Sequence, residues 1–235
     1  MGHSNAFGRR FQIGTILGTF YWVMVLRTFW SSTTITTGGA ALLEERSRAT
    51  DDGARAEVDA RIRERYERDA AVLIIDMSGF SRITQEEGII HFLALIHRMH
   101  ALVLPIIEAA DGGHVVKTEA DNVYATFATT QAAVDTAIRL QETCLRTFEG
   151  QATNDTVALS IGIAFGRLLD LDGTEFFGDP VNLASKLGED LASRGEIFVT
   201  RDAAAGVRLP DGWVAVEQRD RISAVDIEFV SLQRT

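Results

Sequence analysis

Asp76 is the first residue whose setting asks for chemistry. It follows Ala71-Val72-Leu73-Ile74-Ile75, an apolar run rich in branched side chains, and it precedes Met77-Ser78-Gly79-Phe80-Ser81. A short run of this kind predicts a buried central strand. A carboxylate at its end costs free energy unless the charge meets a partner, and a cation is the obvious one. Gly79 lets the backbone turn sharply and aim N–H groups at an anion. A strand, an acid and an anion-friendly turn are the parts of a metal-nucleotide site. On this stretch alone, a strand that simply ends in an Asp turn is the blander and simpler account.

The surrounding elements decide what Asp76 can meet. Thr84-Gln85-Glu86-Glu87 has capping-box spacing and predicts a helix start. Phe92, Leu95, Ile96, Met99, Leu102, Val103 and Ile106 keep helical period, so a core-facing helix follows, with Pro105 near its end and Asp111-Gly112-Gly113 closing it. His114–Thr118 and Asn122–Ala128 read as strands around the turn Glu119-Ala120-Asp121. A second helix starts at Thr129 or Thr130, with Val134, Ala137, Ile138, Gln141, Cys144, Leu145 and Phe148 on one face. Val157–Gly166 is another buried strand, and Arg167–Phe177 is a loop or hairpin containing Asp172-Gly173. Asp179-Pro180 opens a helix to about Arg194, with Asp as cap and Pro at the first helical position. Glu196–Thr200, Trp213–Glu217 and Asp226–Leu232 read as strands.

This order predicts an α+β fold with a ferredoxin-like split βαβ core (βαββαβ), an extra C-terminal helix and strands, and an N-terminal helical extension. In that arrangement the third strand lies antiparallel beside the first. The end of the first strand, with Asp76, then meets the turn carrying Asp121. Two carboxylates 45 positions apart converge at one edge of the sheet.

Composition limits the partners. The 235-residue chain carries a net charge of −10, which argues against a nucleic-acid backbone as ligand. A polyphosphate is still allowed, because a bound cation can carry its charge locally. One cysteine, Cys144, excludes an intrachain disulfide and a cysteine metal cluster and fits a reducing compartment. It reads as a small core residue. His91, His97 and His100 lie near one helix without companion ligands and read as surface or structural residues.

Three domains are expected: residues 1–45, an apolar segment and linker; 46–69, a charged linker helix; and 70–235, the catalytic part. Arg9-Arg10 precede the largely apolar Phe11–Leu26, a run shorter than a spanning helix needs. Attachment to a membrane surface or partner and a poorly ordered tail stand level, ahead of a true span. Ser31–Ala41 reads as a Ser/Thr/Gly linker. Ala54, Val58, Ile62 and Tyr66 form a narrow apolar stripe on a helix over Asp51–Arg68, suited either to one packing contact or to pairing with its own copy. The expected compartment is the cytoplasm, with residues 1–30 as the point of attachment.

Four segments taken together resemble the class III nucleotidyl cyclases. They are Asp-Met-Ser-Gly-Phe-Ser (76–81), Gly-Gly-His-Val-Val-Lys-Thr-Glu-Ala-Asp (112–121), Ile-Gly-Ile-Ala-Phe-Gly (161–166) and Phe-Gly-Asp-Pro-Val-Asn-Leu-Ala-Ser-Lys-Leu (177–187). They occur in the family's order across about residues 70–232. The resemblance implies a homodimer with two sites at its interface, each drawing on both chains. It implies that Asp76 and Asp121, with the carbonyl of Met77, hold two divalent ions per site, Mg2+ or Mn2+, as suits hard oxygen ligands. It implies that the backbone of Ser78, Gly79 and Phe80 cradles phosphate oxygens.

Base choice in that family rests on two positions, here Lys117 and Glu175. An ammonium only donates, so Lys117 suits the acceptor N1 of adenine, and Glu175 accepts from the amino group. Glu119, two residues on and on the same strand face, is placed to pair with Lys117 instead. Asn182 matches the ribose-orienting asparagine, and Lys186 stands where the family has an arginine that stabilises charge on the α-phosphate. The resemblance therefore implies an adenylyl cyclase that converts ATP to cyclic AMP and pyrophosphate in signal transduction. A catalytically weak or inactive nucleotide-binding regulatory domain, or a guanylyl cyclase, is the alternative. Three departures bear on this: Lys186 for arginine, Ser223 where a phosphate-binding lysine is usual, and Ala120 where glycine precedes the second aspartate.

Overall fold

A computed structural model describes residues 38–148, 157–222 and 225–235. The expectations for the apolar segment Phe11–Leu26 and for Ser223 concern residues outside these. The chain divides into two compact units, Met1–Arg48 and Ala49–Thr235. In the first, helix α1 (Gly39–Arg48) begins inside the stretch expected to be a linker.

In the second unit, α2 (Asp52–Tyr66) is capped by the Asp51 carboxylate, which accepts from the Ala54 N–H at 2.9 Å, and it buries Val58, Ile62 and Tyr66. The helix stops at Tyr66, not Arg68, because β1 (Glu67–Met77) starts earlier than the apolar run alone indicates. After the turn at Ser78-Gly79, α3 (Phe80–Glu87) begins four residues before the expected start at Thr84. Gly79 at φ 108° makes the turn, so Thr84 lies inside the helix, its hydroxyl unpartnered among the described residues and its carbonyl closing the helix onto the Gly88 N–H. Gly88 separates α3 from α4 (Ile89–Glu108). Then come β2 (His114–Glu119), β3 (Asn122–Phe127) and α5 (Thr130–Phe148), whose first turn is capped by the Thr129 hydroxyl.

The fourth strand, β4 (Leu159–Leu171), runs past the expected end. It folds back through Asp172 and Gly173, both at positive φ, into β5 (Glu175–Phe177), so the hairpin alternative holds. Helix α6 (Asp179–Ser185) is preceded by Gly178 rather than capped by Asp179, and it runs into a π-helical turn over Lys186–Leu191. The remainder is β6 (Ile197–Thr200), an unforeseen short helix α7 (Arg201–Ala204), and the hairpin β7 (Trp213–Ile222) and β8 (Val225–Arg234).

The sheet order is β2-β3-β1-β4-β6-β8-β7, with β5 beside β4. β1 lies antiparallel between β3 and β4, which is the split βαβ core expected from the sequence. One sheet face packs Leu73, Ile75 and Met77 under α4 and α5, with Phe92, Leu95, Met99, Val134, Ala137 and Cys144. Burial pushes the Cys144 thiol up to about 12, as befits an inert core residue. Leu145, expected on the core stripe, is exposed. The α4 helix is long and apolar enough to cross a membrane, but its apolar face is part of this core.

The opposite face buries much less: Ala70, Val72 and Ile74 with Val116, Ala164, Leu168, Phe176 and Ala184 of α6. Helix α6 and its π turn sit very close to β4. A Cβ on Gly162 would overlap the Ala184 carbonyl, and one on Gly188 would lie 2.9 Å from the Gly162 nitrogen and 3.0 Å from the Ile74 carbonyl oxygen. The candidate site is built on this thinly covered face.

Candidate functional site

Strand parity selects the side chains that share the site's face. Asp76 pairs with Ser160 of β4, and the Ile75–Val123 pairing carries the end of β1 to the turn that holds Asp121. The two carboxylates meet at one sheet edge, as the topology requires. Burial pushes the Asp76 carboxyl up to about 7, and the Asp121 charge and then the Glu189 charge add to the effect. Burial also raises Asp121, a buried residue. Two carboxylates that are both raised by burial, one of them further by the other's charge, ionise more readily beside a cation. Among the described residues, no Lys or Arg ion pair and no group of three or more His, Cys, Asp or Glu is there to provide or hold one unaided. Hard oxygen donors in a buried anionic setting fit Mg2+ or Mn2+, which Asp76 and Asp121 would help to hold.

The turn after β1 is pinned. The Met77 side chain is in the core, leaving its carbonyl as the group it can offer. The Ser78 hydroxyl lies 2.6 Å from that of Ser160, and the Ser78 N–H donates to the Ala158 carbonyl at 3.1 Å. Of the three residues expected to cradle phosphate, Ser78 has already committed its N–H. Gly79 and Phe80 stand at the first turn of α3, where N–H groups lack intrahelical acceptors.

A second cluster lies on β2, β3 and β5. Lys117 donates to Glu175 at 3.0 Å and pairs with Glu119 at 2.8 Å, while its ammonium stands 5.3 Å from the Tyr124 ring centroid. Tyr124 meets Phe176 edge-on at 6.4 Å. The expected competition of Glu119 for Lys117 is therefore present, and Glu175 joins it from across the β4–β5 hairpin.

The third part is α6. Asn182 is exposed and Lys186 half-buried, one turn apart. No side-chain hydrogen bond or ion pair joins either to Asp76 or Asp121 among the described residues. Sequence reasoning missed three residues here. Glu189 on the π turn accepts from the Ser185 hydroxyl at 2.8 Å and from the Tyr124 hydroxyl at 3.3 Å. Desolvation by surrounding protein raises its pKa first, even though part of the residue reaches solvent, and Asp190 and Glu119 add to the rise. Tyr124 is likewise raised, by burial and then by Glu189. The buried Asn122 donates to the Tyr124 hydroxyl at 3.4 Å and leaves its own Oδ1 unpartnered among the described residues. The signals were available: Asn182, Lys186 and Glu189 form an i, i+4, i+7 stripe, and Asn122 and Tyr124 alternate on β3.

Comparison with known proteins follows the same lines. A family model for the adenylate and guanylate cyclase catalytic domain matches residues 62–225. The crystal structure of an adenylate/guanylate cyclase/hydrolase from Silicibacter pomeroyi is 29% identical at a TM-score of 0.59, covering 71% of this chain and 96% of that one. Two others share the fold. The guanylate cyclase domain of RhGC from Catenaria anguillulae, in complex with GTP, is 19% identical at a TM-score of 0.58, over 72% and 98% of the two chains. The adenylyl cyclase CyaB from P. aeruginosa is 18% identical at 0.56, over 72% and 95%. No curated protein matches the chain.

Proposed function

Since the chain belongs to the adenylate and guanylate cyclase catalytic domain family, we propose that it is an adenylyl cyclase, forming 3′,5′-cyclic AMP and pyrophosphate from ATP as a homodimer. The observation that carries the choice of base is the Lys117–Glu175 contact at 3.0 Å. One donor and one acceptor, side by side, match the N1 acceptor and amino donor on the edge of adenine.

Asp76 and Asp121, with the Met77 carbonyl, would hold two divalent ions, Mg2+ or Mn2+. When bound, these lower the pKa of the ribose 3′-hydroxyl and neutralise triphosphate charge. Lys117 and Glu175 bind and orient the base. Asn182 holds the ribose so that its 3′-oxygen faces the α-phosphorus. Lys186 places positive charge on the α-phosphate oxygens as the P–O bond to pyrophosphate breaks. An ammonium does this with less geometric precision than the fork of an arginine. Gly79 and Phe80 offer backbone N–H groups to the phosphates.

The dimer rests on the family resemblance, in which the acids come from one chain and Lys117, Glu175, Asn182 and Lys186 from another; among the described residues no side-chain hydrogen bond or ion pair joins Asn182 or Lys186 to Asp76 or Asp121. In this reading residues 1–30 attach the enzyme to a membrane or a partner on the cytoplasmic side, and α2 couples that attachment to the dimer.

The test is cyclic AMP formation by the full chain with ATP and Mn2+, beside Asp76→Ala. Product from the wild type and none from the variant supports the reading. Equal activity in both contradicts it. The second reading, a nucleotide-binding domain with negligible turnover, is favoured by Lys186. Its mark is nucleotide binding without product in the wild type and product gained in Lys186→Arg.

A further inference from the structure

We propose that Glu119 is a specificity-determining residue that opens the base site to guanine as well as adenine. This rests on the reading of Lys117 and Glu175 as the base-recognition pair. Lys117 is shared between two carboxylates, Glu119 at 2.8 Å and Glu175 at 3.0 Å, so the cluster holds one acceptor group more than its donor needs. The Tyr124 ring beneath the ammonium is fixed by Phe176 at its edge and by Glu189 at its hydroxyl, which keeps Lys117 in place.

The hydrogen-bonding edges of the two purines divide this set differently. Adenine offers one acceptor, N1, and one donor group, its 6-amino group. Lys117 and Glu175 satisfy both, and Glu119 finds no group on the base to meet. Guanine offers the acceptor O6 and two adjacent donors, N1–H and the 2-amino group. Lys117 can donate to O6, and a carboxylate can accept both donors at once.

Which carboxylate turns to the base follows from burial. The Glu175 side chain is 12% exposed and held inside the hairpin, whereas that of Glu119 is 42% exposed on the strand β2. Glu119 swings from ammonium to base with less desolvation and less repacking. Tight pairing with Lys117 in the free protein also means that adenine must draw the lysine away from Glu119. Glu119 therefore weakens adenine binding and strengthens guanine binding.

The experiment uses the full-length protein and measures two ratios for wild type, Glu119→Ala, Glu119→Gln and Lys117→Ala. The first is kcat/KM for ATP over that for GTP. The second is the ratio of dissociation constants for 3′-deoxy-ATP and 3′-deoxy-GTP with Mn2+, which reads the same preference without turnover. The expected result is that both Glu119 variants raise the preference for adenine by roughly tenfold or more, through weaker GTP binding and slightly tighter ATP binding. Glu119→Gln keeps the shape of the residue and guards against a folding defect in the alanine variant. Equal changes for the two nucleotides, or an unmoved ratio, would overturn the proposal. Lys117→Ala separates the two ideas. If it leaves the affinity for 3′-deoxy-ATP unchanged, the base-recognition pair itself is wrong. If it weakens that affinity while the Glu119 variants leave the ratio alone, only the role of Glu119 fails.

Discussion

The acidic edge and the base-side cluster lie on the same sheet face and handle charge in opposite ways. At the edge, Asp76, Asp121 and Glu189 are raised by burial, and Asp76 is raised further by the other two. Beside it, Lys117 is held between Glu119 and Glu175 over an aromatic ring. Among the described residues, no basic side chain forms an ion pair with the carboxylates of the first region. The second is already satisfied, and a ligand must take its place among bonds that exist. The proposed reading places metal and triphosphate at the first region and the base at the second.

The largest expected effect falls on the first region. Asp76→Ala or Asp121→Ala should lower cyclic nucleotide formation by about a hundredfold or more, because metal-assisted attack needs both carboxylates. A steady-state assay with excess Mn2+ checks this, and a loss under tenfold breaks the contrast.

Next in size is Lys186→Arg, which restores a bidentate contact with the α-phosphate. It should raise kcat by roughly tenfold with little change in KM. A change in KM alone would place Lys186 in ground-state binding instead.

The pH dependence of stability sharpens the contrast without any assay of turnover. In the folded, metal-free protein Asp76 titrates near 7 rather than at 3.8. Between these values the folded state keeps a proton that the unfolded state has lost. Unfolding free energy then falls as pH rises through that window. Asp76→Asn, which cannot ionise, should melt higher than wild type in chelator at pH 8, and the gap should close as pH falls towards 4. A gap independent of pH contradicts the burial of an uncompensated charge. Mn2+ affinity should move the other way, falling as the pH drops below about 7, because protons compete for Asp76.

The smallest effect is conformational. Ala120 sits at φ 51°, in the turn that presents Asp121. Ala120→Gly should stabilise the protein by about 0.5–1 kcal/mol and raise Tm by roughly 1–4 °C, as seen in a thermal melt.

Much of this was legible in the chain. An apolar run ending in one acid gave β1 and Asp76, and the order of strands and helices was enough to bring Asp121 to it. Lys117 and Glu119 could be paired from a spacing of two on a strand. Other features depend on geometry that residue types do not carry. The start of α3 is set by Gly79 in a left-handed conformation, which outweighs the Thr84 capping pattern. The Lys117–Glu175 contact spans 58 positions and exists because β4 extends into a hairpin instead of ending at Gly166. Glu189 faces Tyr124 from a π turn, and that turn packs through Gly162 and Gly188, a close approach visible only once the strand and helix are in place.

The central claim is that one chain supplies the acids and another the base, ribose and phosphate contacts. Mixing two inactive full-length variants, Asp76→Ala and Asn182→Ala, tests it directly. Random pairing makes about half of the dimers mixed, each with one of its two sites intact, so activity should return to about a quarter of the wild-type value at equal total protein. Activity that stays at the level of the separate variants, while mixed dimers are demonstrably present, would contradict the account.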